Sequence, residues 1–536
     1  MSQRHFLTAL LCLAWIVPGL IGHDPWKSDE ATTFGAVYEL LRGGSWLTPS
    51  LAGELFLDEP PLYYLTAAAT AWLTAALLPL HDGARLATGL FMAMTFLFCG
   101  MASRELNGRG KGALAALLLL GCFGLVVRSH QIITDIAPLA GFALGYYALA
   151  LALRRPLYGG LLLGAAIGTV FLSQGILETS ILALLAIALP LASAAWRTRD
   201  YAKTLGIAAL LAAPAVVAWP LALHLQSPAL YDAWLRHDLY TVFTGEGRDI
   251  FYYLRLLPWY AWPVWIVCLW TLWMAHRQPQ PRPYSAPAIA LPLTGLVLSI
   301  AVLSFGSSAR ELYALPLLLP LVLLAAPGIS SLRRGAANAW LWFSVMAVTF
   351  FIIVGWFYWM GLELGVPARL HAHLHRIQPG YTPGFKGLAF TVAACYTVAW
   401  FILLARLKHI PDRPVIAWAA GVTVIWAMLN TLFLPWIDTG KSYRSVFASM
   451  QQSVPKQSRC MSSRNLGDSQ RALLHYFSNI VTHREEIAAR RRACDLLLIQ
   501  GIAKEETAPP GWRKIWEGAR PGDKVERYRL YRRGER

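Results

Sequence analysis

Long apolar stretches alternate with short polar ones along most of this 536-residue chain. A bilayer core about 30 Å thick requires about 20 apolar residues of helix to cross it. On that criterion the pattern predicts a polytopic all-α membrane protein with thirteen spanning helices. The predicted spans are 5–22, 84–103, 112–130, 136–153, 157–172, 176–195, 204–222, 258–275, 287–304, 312–329, 338–359, 386–405 and 415–436.

The loops between these spans differ in charge. Every second loop carries Lys or Arg, beginning with Arg4 and then the cluster from Arg104 to Lys111. Short basic loops lie on the cytoplasmic side of membrane proteins. We therefore predict that the acidic first loop and the C-terminal tail lie on the opposite, periplasmic side of a bacterial inner membrane.

One apolar segment does not fit this alternation. Residues 61–79 are apolar enough to span, but a span here would place the Arg104 cluster outside and the polar tail inside. We predict instead a helix lying in the membrane interface, with Pro61 near its start, where proline is tolerated. Residues 28–42 are predicted to form a shorter interfacial helix. The alternative is that 61–79 spans and another segment does not.

The composition changes after Trp436. Residues 437–536 are polar and rich in Arg, Gln and Ser. The stretch CDLLLIQG predicts a buried strand, RYRLYRR an edge strand, and SQRALLHYFSNI a helix. We therefore predict two domains, a membrane domain over 1–436 and a small periplasmic α/β domain over 437–536. Cys460 and Cys494 lie in the second, where a disulfide and two separate thiols are both open.

Composition supports the membrane class. The chain is 56% hydrophobic and only 14% charged, with a mean hydropathy of +0.45. Its net charge of +17 fits cytoplasmic loops in contact with anionic membrane lipids, and we expect no nucleic-acid partner. No cleavage site follows the first apolar run, which favours a signal-anchor helix over a removable signal peptide.

Five polar patches fall on the predicted periplasmic side. Ionisable groups close to the hydrocarbon are costly and tend to be functional. Carboxylates can accept a proton, arginines can bind a phosphate, and a carboxylate with a histidine can hold a metal ion. The patches are Lys27-Ser28-Asp29-Glu30, Asp58-Glu59-Pro60-Pro61, the segment ending at Asp135, the loop from His237 to Arg255, and Arg310-Glu311 with Tyr313.

Each patch also has a simpler explanation. Asp135 precedes a span, where an acid often serves only as a helix cap or dipole partner. A lone loop histidine such as His237 is usually solvated. Arg248 and Arg255 can anchor to lipid headgroups. The case for an active site rests on all five patches lying on one face of the membrane.

The order of these motifs resembles the GT-C glycosyltransferases, in the branch of the lipid A aminoarabinose transferases and protein O-mannosyltransferases. The resemblance covers about residues 5–440. It is carried by the acidic pair Asp29-Glu30, FLDEPPLYYL, IITDIAPL, FLSQGILE, the Tyr-rich run from His237 to Trp259, and SSARELYALP.

The resemblance implies a GT-C fold and a polyprenyl-phosphate sugar donor, with a lipid, glycan or protein acceptor. It implies catalytic roles for Asp29, Glu30 and Asp135. It also implies a divalent metal, zinc, magnesium or manganese, at Asp58 and His237. The expected donor-binding residues are Lys27, Arg248, Arg255, Arg310 and Tyr313.

The chain departs from this branch at cationic positions. The residue before Pro-Pro is usually Lys, but here it is Glu59, and the Lys of the FLTKG-like turn is Gln174. Two other functions compete with transfer. A transporter or flippase of a lipid-linked sugar would favour polar or broken spans near mid-membrane. A non-catalytic relative that binds a lipid-linked sugar would not need the acids.

Overall fold

In a computed structural model of the chain, residues 3–243, 249–277, 283–306, 309–407, 412–487, 494–504 and 508–534 are described. Most of them are helical. The first half contains α1 (Gln3–Ile16), α2 (Asp29–Leu41), α3 (Leu62–Thr74), α4 (Leu80–Asn107), α5 (Lys111–Leu120), α6 (Phe123–Val126), α7 (Ile136–Ala152), α8 (Pro156–Gln174), α9 (Ile176–Ala192), α10 (Arg199–Gln226) and α11 (Pro228–Phe243). A hairpin of β1 (Ser50–Leu51) and β2 (Glu54–Leu55) follows α2.

The second half continues the helical array and ends in a sheet. Its helices are α12 (Tyr252–Tyr260), α13 (Val264–Arg277), α14 (Pro287–Gly306), α15 (Leu318–Gly328), α16 (Arg334–Trp359), α17 (Ala368–Ile377), α18 (Gly387–Arg406), α19 (Arg413–Leu432), α20 (Leu434–Lys441), α21 (Arg444–Gln452) and α22 (Asp468–Ser478). Its strands are β3 (Met461–Arg464), β4 (His483–Arg484), β5 (Leu496–Ile502), β6 (Trp512–Gly518) and β7 (Glu526–Arg533).

Each predicted span contains at least part of a helix, but not all are long, straight spans. Among the described residues, eight helices are long and apolar enough to cross a membrane, or up to ten if two bent pairs each count as one span. The predicted span 112–130 is broken after α5 and bends by 72°, and α12 meets α13 at 105°. The chain is therefore a multi-pass membrane protein, and the predicted number of thirteen spans stays a prediction.

Residues 61–79, the apolar segment that does not fit the charge alternation, contain a short helix. Helix α3 has 13 residues, which at 1.5 Å per residue is about 20 Å and too short for a bilayer core of about 30 Å. Tyr63 and Tyr64, in its first turn, are buried. This length agrees with a helix that lies beside the spans rather than one of them.

The C-terminal sheet has the order β4-β3-β5-β7-β6. Strand β3 runs parallel to β4 and β5, whereas β7 is antiparallel to both β5 and β6. The predicted buried strand and helix are confirmed as β5 and α22. The prediction of an edge strand near the end was wrong, because β7 pairs on both sides and buries Leu530. Cys460 and Cys494 form a disulfide.

This C-terminal domain packs against the first loop of the membrane domain. Gly35 of α2 faces Ala472 of α22, and a Cβ at position 35 would lie 2.5 Å from the Ala472 Cβ and 2.4 Å from Leu51 Cδ1. Arg471 forms an ion pair with Glu54 at 3.0 Å, and His475 Nδ1 lies 3.2 Å from Glu39 Oε1. The domain therefore rests on the loop that carries Asp29.

Candidate active site

An ion pair joins the first loop to the segment after α14. Arg310 Nη2 lies 3.3 Å from Asp29 Oδ1, and both side chains are partly exposed. The Arg310 guanidinium carbon lies 5.5 Å from the centroid of the Tyr313 ring. Asp29 is the first residue of α2, and Tyr313 follows Arg310 in a short 3-10 turn. Two of the predicted patches thus meet at one accessible carboxylate and one accessible cation.

Glu30 has a different environment from its neighbour Asp29. It is only 2% exposed and bonds to the fully buried Arg85 at 2.7 Å. Its carboxylate also accepts hydrogen bonds from the backbone N–H of Trp26 at 3.0 Å and of Ile132 at 3.3 Å. Burial raises the pKa of Glu30, but the Arg85 charge and these donors outweigh it and leave the pKa below its ordinary value. Glu30 therefore connects the Asp29 loop, α4 and the segment that leads to Asp135.

Asp135 lies immediately before α7 and is only 8% exposed. Its side chain makes no capping hydrogen bond to that helix, so a capping role does not explain it. Burial raises the pKa of Asp135 to about 6, although the charge of Arg310 lowers it. The Arg310 guanidinium thus lies in the field of two carboxylates, Asp29 and Asp135.

The Pro-Pro patch contributes two further carboxylates. Burial raises the pKa of Asp58, while the charge of His237 lowers it. These two predicted metal ligands therefore interact electrostatically. Burial raises the pKa of Glu59 well above its ordinary value, and the charges of Asp135 and Asp238 raise it further. Residues of all five patches therefore interact electrostatically with residues of another patch.

Three site residues were missed by the sequence reasoning or given no role. With its amide nitrogen towards Glu59, Gln174 donates to both carboxylate oxygens, at 3.0 and 3.1 Å. Glu178 is 3% exposed, and its Oε2 has no hydrogen-bond partner among the described residues. Asp238 Oδ2 accepts from the backbone N–H of Ile176 at 2.9 Å and so caps α9. Glu178 could have been identified from the sequence, because it is a lone acid in the apolar run ILETSILALL.

Not every predicted residue joins this cluster. Lys27 forms an ion pair with Glu526 of the C-terminal domain. Arg255 pairs with Asp249 and its side chain is 67% exposed. Arg248 lies outside the described residues. The donor-binding roles predicted for these three residues stay predictions.

The predicted metal site has only two named protein ligands, Asp58 and His237. Within the ranges that the structure describes, no group of three or more His, Cys, Asp or Glu side chains is arranged to hold a metal ion. A zinc site supplied wholly by protein needs three or four such ligands. Asp58 and His237 therefore do not complete a metal site by themselves.

The cluster has the groups needed for a displacement reaction. A partly exposed carboxylate, Asp29, can accept a proton from a hydroxyl or an acidic group. A guanidinium, Arg310, is suited to an anionic leaving group because it binds phosphate oxygens in a planar fork. Asp135, whose charge acts on Arg310, is buried, and electrostatic interactions are stronger away from water.

Comparison with known proteins agrees with these features. No family model matches the chain. It is 28% identical over 456 residues to the undecaprenyl phosphate-alpha-4-amino-4-deoxy-L-arabinose arabinosyl transferase of Pseudomonas aeruginosa strain UCBPP-PA14, covering 81% of this chain and 76% of that protein. The enzyme of the same name from Pseudomonas savastanoi pv. phaseolicola is 27% identical over 348 residues, 62% of each chain.

Solved structures show the same fold. ArnT from Cupriavidus metallidurans bound to undecaprenyl phosphate aligns with a TM-score of 0.70 at 15% identity, over 98% of this chain and 97% of that one. Its apo state aligns with a TM-score of 0.67 over the same shares. The chain therefore has the GT-C fold of membrane glycosyltransferases. Within that class, the proteins it is similar to are the ArnT-type aminoarabinose transferases.

Proposed function

We propose that this protein transfers a sugar from an undecaprenyl-phosphate-type donor to a lipid A-like acceptor in the bacterial inner membrane. The observation that carries the proposal is the Arg310–Asp29 pair, with an accessible cation and an accessible carboxylate 3.3 Å apart. The curated relatives are named as transferases of 4-amino-4-deoxy-L-arabinose from undecaprenyl phosphate. By that analogy the donor sugar is a pentose.

The reaction is a single displacement at the anomeric carbon. An acceptor oxygen attacks this carbon and forms the new glycosidic bond, and the bond from the carbon to the phosphate oxygen breaks. Asp29 takes the acceptor's proton, because it is the more exposed acid of the Asp29-Glu30 pair. The polyprenyl phosphate leaves with the electron pair of the broken bond, and Arg310 stabilises its charge. Tyr313, packed against Arg310, lies where it can donate to the same phosphate.

We assign Glu30 a positioning role rather than direct contact with substrate. Its carboxylate is fully used by Arg85 and two backbone N–H groups. It holds the start of α2 against the segment that precedes Asp135, so that Asp29 and Asp135 keep their relative positions. This assignment replaces the catalytic role inferred for Glu30 from the family resemblance.

The site and the C-terminal domain are proposed to face the periplasm. The support is the charge of the loops, which carry Lys and Arg on the opposite side. The disulfide between Cys460 and Cys494 fits an oxidising compartment, where such bonds persist. A phosphatase fused after Arg536 should be active, and an inactive fusion would place the tail in the cytoplasm.

Activity should fall in acid because of Asp135. Its charge helps to hold Arg310, and its pKa is raised to about 6. As the pH falls through 6, Asp135 is protonated and its electrostatic attraction to Arg310 is lost. We expect kcat/KM to decline towards tenfold per pH unit below about 6. Asp135→Asn should be less active and should lack this limb of the pH profile, whereas an unchanged limb in the variant would assign the titration to another group.

A divalent metal at Asp58 and His237 is the finer part of the proposal. These two residues would supply two ligands, and donor phosphate oxygens would have to supply others, as in sites where a metal is shared with substrate. The metal would then offset the cations absent at Glu59 and Gln174. Exhaustive chelation should abolish transfer and zinc, magnesium or manganese should restore it. Full activity after chelation would contradict a metal role.

The function itself is tested by transfer in vitro. The purified protein in proteoliposomes is incubated with undecaprenyl phosphate-4-amino-4-deoxy-L-arabinose and lipid A. The masses of the product lipids are then measured by mass spectrometry. Transfer adds one pentose residue to lipid A and releases undecaprenyl phosphate. A flippase would move the donor between leaflets without changing either mass, so unchanged masses with movement would favour that alternative. A deletion strain should lack the same glycolipid.

A further inference from the structure

A pocket lies between the first loop and the C-terminal domain. It is a cavity of about 310 Å³ lined by Trp26, Lys27, Ser28, Lys441 and Arg520. Three of these five residues are basic, and none is acidic. Ser28 directly precedes Asp29, and consecutive Cα atoms are about 3.8 Å apart. A ligand that contacts Ser28 in this pocket therefore contacts the residue next to the proposed base, Asp29.

The cations of this pocket are held in place. Lys441 Nζ lies 4.7 Å from the Trp26 ring centroid, and the Trp26 indole N–H donates to Asp438 at 2.9 Å. The Arg520 guanidinium carbon lies 4.7 Å from the ring centroid of the fully buried Tyr443. Aromatic rings attract cations in this geometry. The positive groups are thus arranged before any ligand binds.

Acidic residues of the C-terminal domain pair with two cations of the pocket. Arg520 Nη2 pairs with Asp523 at 2.7 Å, and Lys27 pairs with Glu526. Arg520 Nη2 also lies 3.7 Å from Glu526. Lys441 is exposed and makes its cation–π contact from the open side. The neighbouring acids therefore neutralise part of the charge but do not line the cavity.

We propose that this pocket binds a phosphate group of the acceptor lipid. Lys and Arg side chains bind phosphate oxygens through charge-assisted hydrogen bonds, and the Ser28 hydroxyl can add another. With this phosphate in the pocket, the acceptor's reacting oxygen lies on the side of Asp29. The proposal rests on the proposed function, because it assigns the pocket to the acceptor of that reaction. Lys27 then serves the acceptor rather than the donor.

Lys441 and Arg520 act here as specificity residues and not as catalytic ones. They contact the phosphate that marks the acceptor and leave the donor sugar and Arg310 untouched. Their loss should weaken acceptor binding and raise its KM, while kcat at saturating acceptor stays close to that of the unchanged protein. Loss of a structural contact alone would lower stability and change both substrates together.

The test measures binding apart from turnover. The full-length protein in detergent is titrated with bisphosphorylated lipid A, with the same lipid after removal of its phosphates, and with undecaprenyl phosphate, and the complexes are quantified by native mass spectrometry. The unchanged protein should prefer the phosphorylated lipid A. Lys441→Gln and Arg520→Gln should each lower that affinity on the order of tenfold, with no change for undecaprenyl phosphate or for the dephosphorylated lipid.

Lys456→Gln is the matched control, since it removes one exposed lysine of the same domain outside the pocket. It should bind all three lipids as the unchanged protein does. Arg520→Gln also loses its pairing with Asp523, so its melting temperature is measured beside that of Lys441→Gln, whose side chain is exposed. If Lys441→Gln keeps full affinity for phosphorylated lipid A, the proposal is wrong.

Two further outcomes identify the source of the phosphate. Phosphatidylglycerol added as competitor should displace lipid A poorly, and equal displacement would make the pocket a site for membrane lipid headgroups and overturn the assignment to the acceptor. Inorganic phosphate should compete only at much higher concentration, and competition equal to that of lipid A would likewise overturn it. Absence of undecaprenyl phosphate binding would instead contradict the proposed function, so the two failures are distinguishable.

Discussion

Replacement of Asp29 by asparagine should lower kcat by about 10²–10⁴-fold, the range typical of a positioned general base. Asparagine keeps the shape of the side chain and can still meet Arg310, but it cannot take a proton. The measurement is the rate of pentose transfer to lipid A by purified protein at saturating donor and acceptor. Binding of undecaprenyl phosphate should be retained, because Arg310 is unchanged.

The control for this variant is Asp200→Asn. Asp200 is a 62%-exposed acid that pairs with Lys203 in α10, so its replacement removes an ordinary surface ion pair worth about 0–1 kcal/mol. It should transfer sugar at the normal rate. If Asp29→Asn does so as well, the base is another group, and Asp135 is the next carboxylate to test.

Replacement of Arg310 by alanine should lower kcat/KM by about 10²–10³-fold, the cost of removing one donor that stabilises developing charge in a transition state. The phosphate leaving group would then lack the cation that pairs with Asp29, and neither Glu59 nor Gln174, where the sequence resemblance leads us to expect lysines, supplies another. Arg310→Lys should recover only part of the loss, because an ammonium cannot bind phosphate bidentately. Initial rates are measured with donor and acceptor both varied.

Arg369→Ala provides the comparison for Arg310. Arg369 is an exposed arginine of α17, and its removal changes the net charge by the same amount without touching the site. The donor KM should rise in the Arg310 variants and stay constant in the control. Unchanged donor kinetics in Arg310→Ala would mean that another group binds the donor phosphate, and Arg248, Arg255 and a metal would then be tested.

Much of the helical layout could be predicted from hydropathy and charge. The alternation of basic loops singled out residues 61–79, and α3 is indeed a short helix of 13 residues. Hydropathy could not predict where spans break, because the apolar run continues across the bend. Residues 112–130 have the pattern of one uninterrupted span, yet the helix ends at Leu120 and turns by 72°.

The C-terminal domain shows a different limit. The strand near the end has the pattern of a sheet edge, because its arginines alternate with only a few apolar residues. In the fold, Tyr528, Leu530 and Tyr531 are buried, and β6 covers the other side of that strand. The stretch that forms β6, WRKIWEG, has too little apolar periodicity to predict a strand, so this neighbour of β7 could not be anticipated.

The candidate site was predictable where acids interrupt apolar sequence. Asp58, Glu59 and Asp135 stand out on that criterion, and they lie in one electrostatic cluster. The partners of these acids were not predictable, because they come from distant parts of the chain. Arg85, which is fully buried against Glu30, is 55 residues further on. Its neighbours His81 and Asp82, polar groups at the start of a span, were the overlooked signal.

The Asp29–Arg310 ion pair has a consequence for the order in which substrates bind. In the absence of ligand, the proposed base and the phosphate-binding cation pair with each other, so Asp29 is engaged by Arg310 rather than free for the acceptor. A donor phosphate competes for Arg310 and releases Asp29 at the moment when a sugar is ready for transfer. The acceptor is therefore activated only in the presence of the donor. In the initial-rate measurements on Arg310 variants, this appears as compulsory order with donor first in the unchanged protein, and as random order once Arg310 is removed.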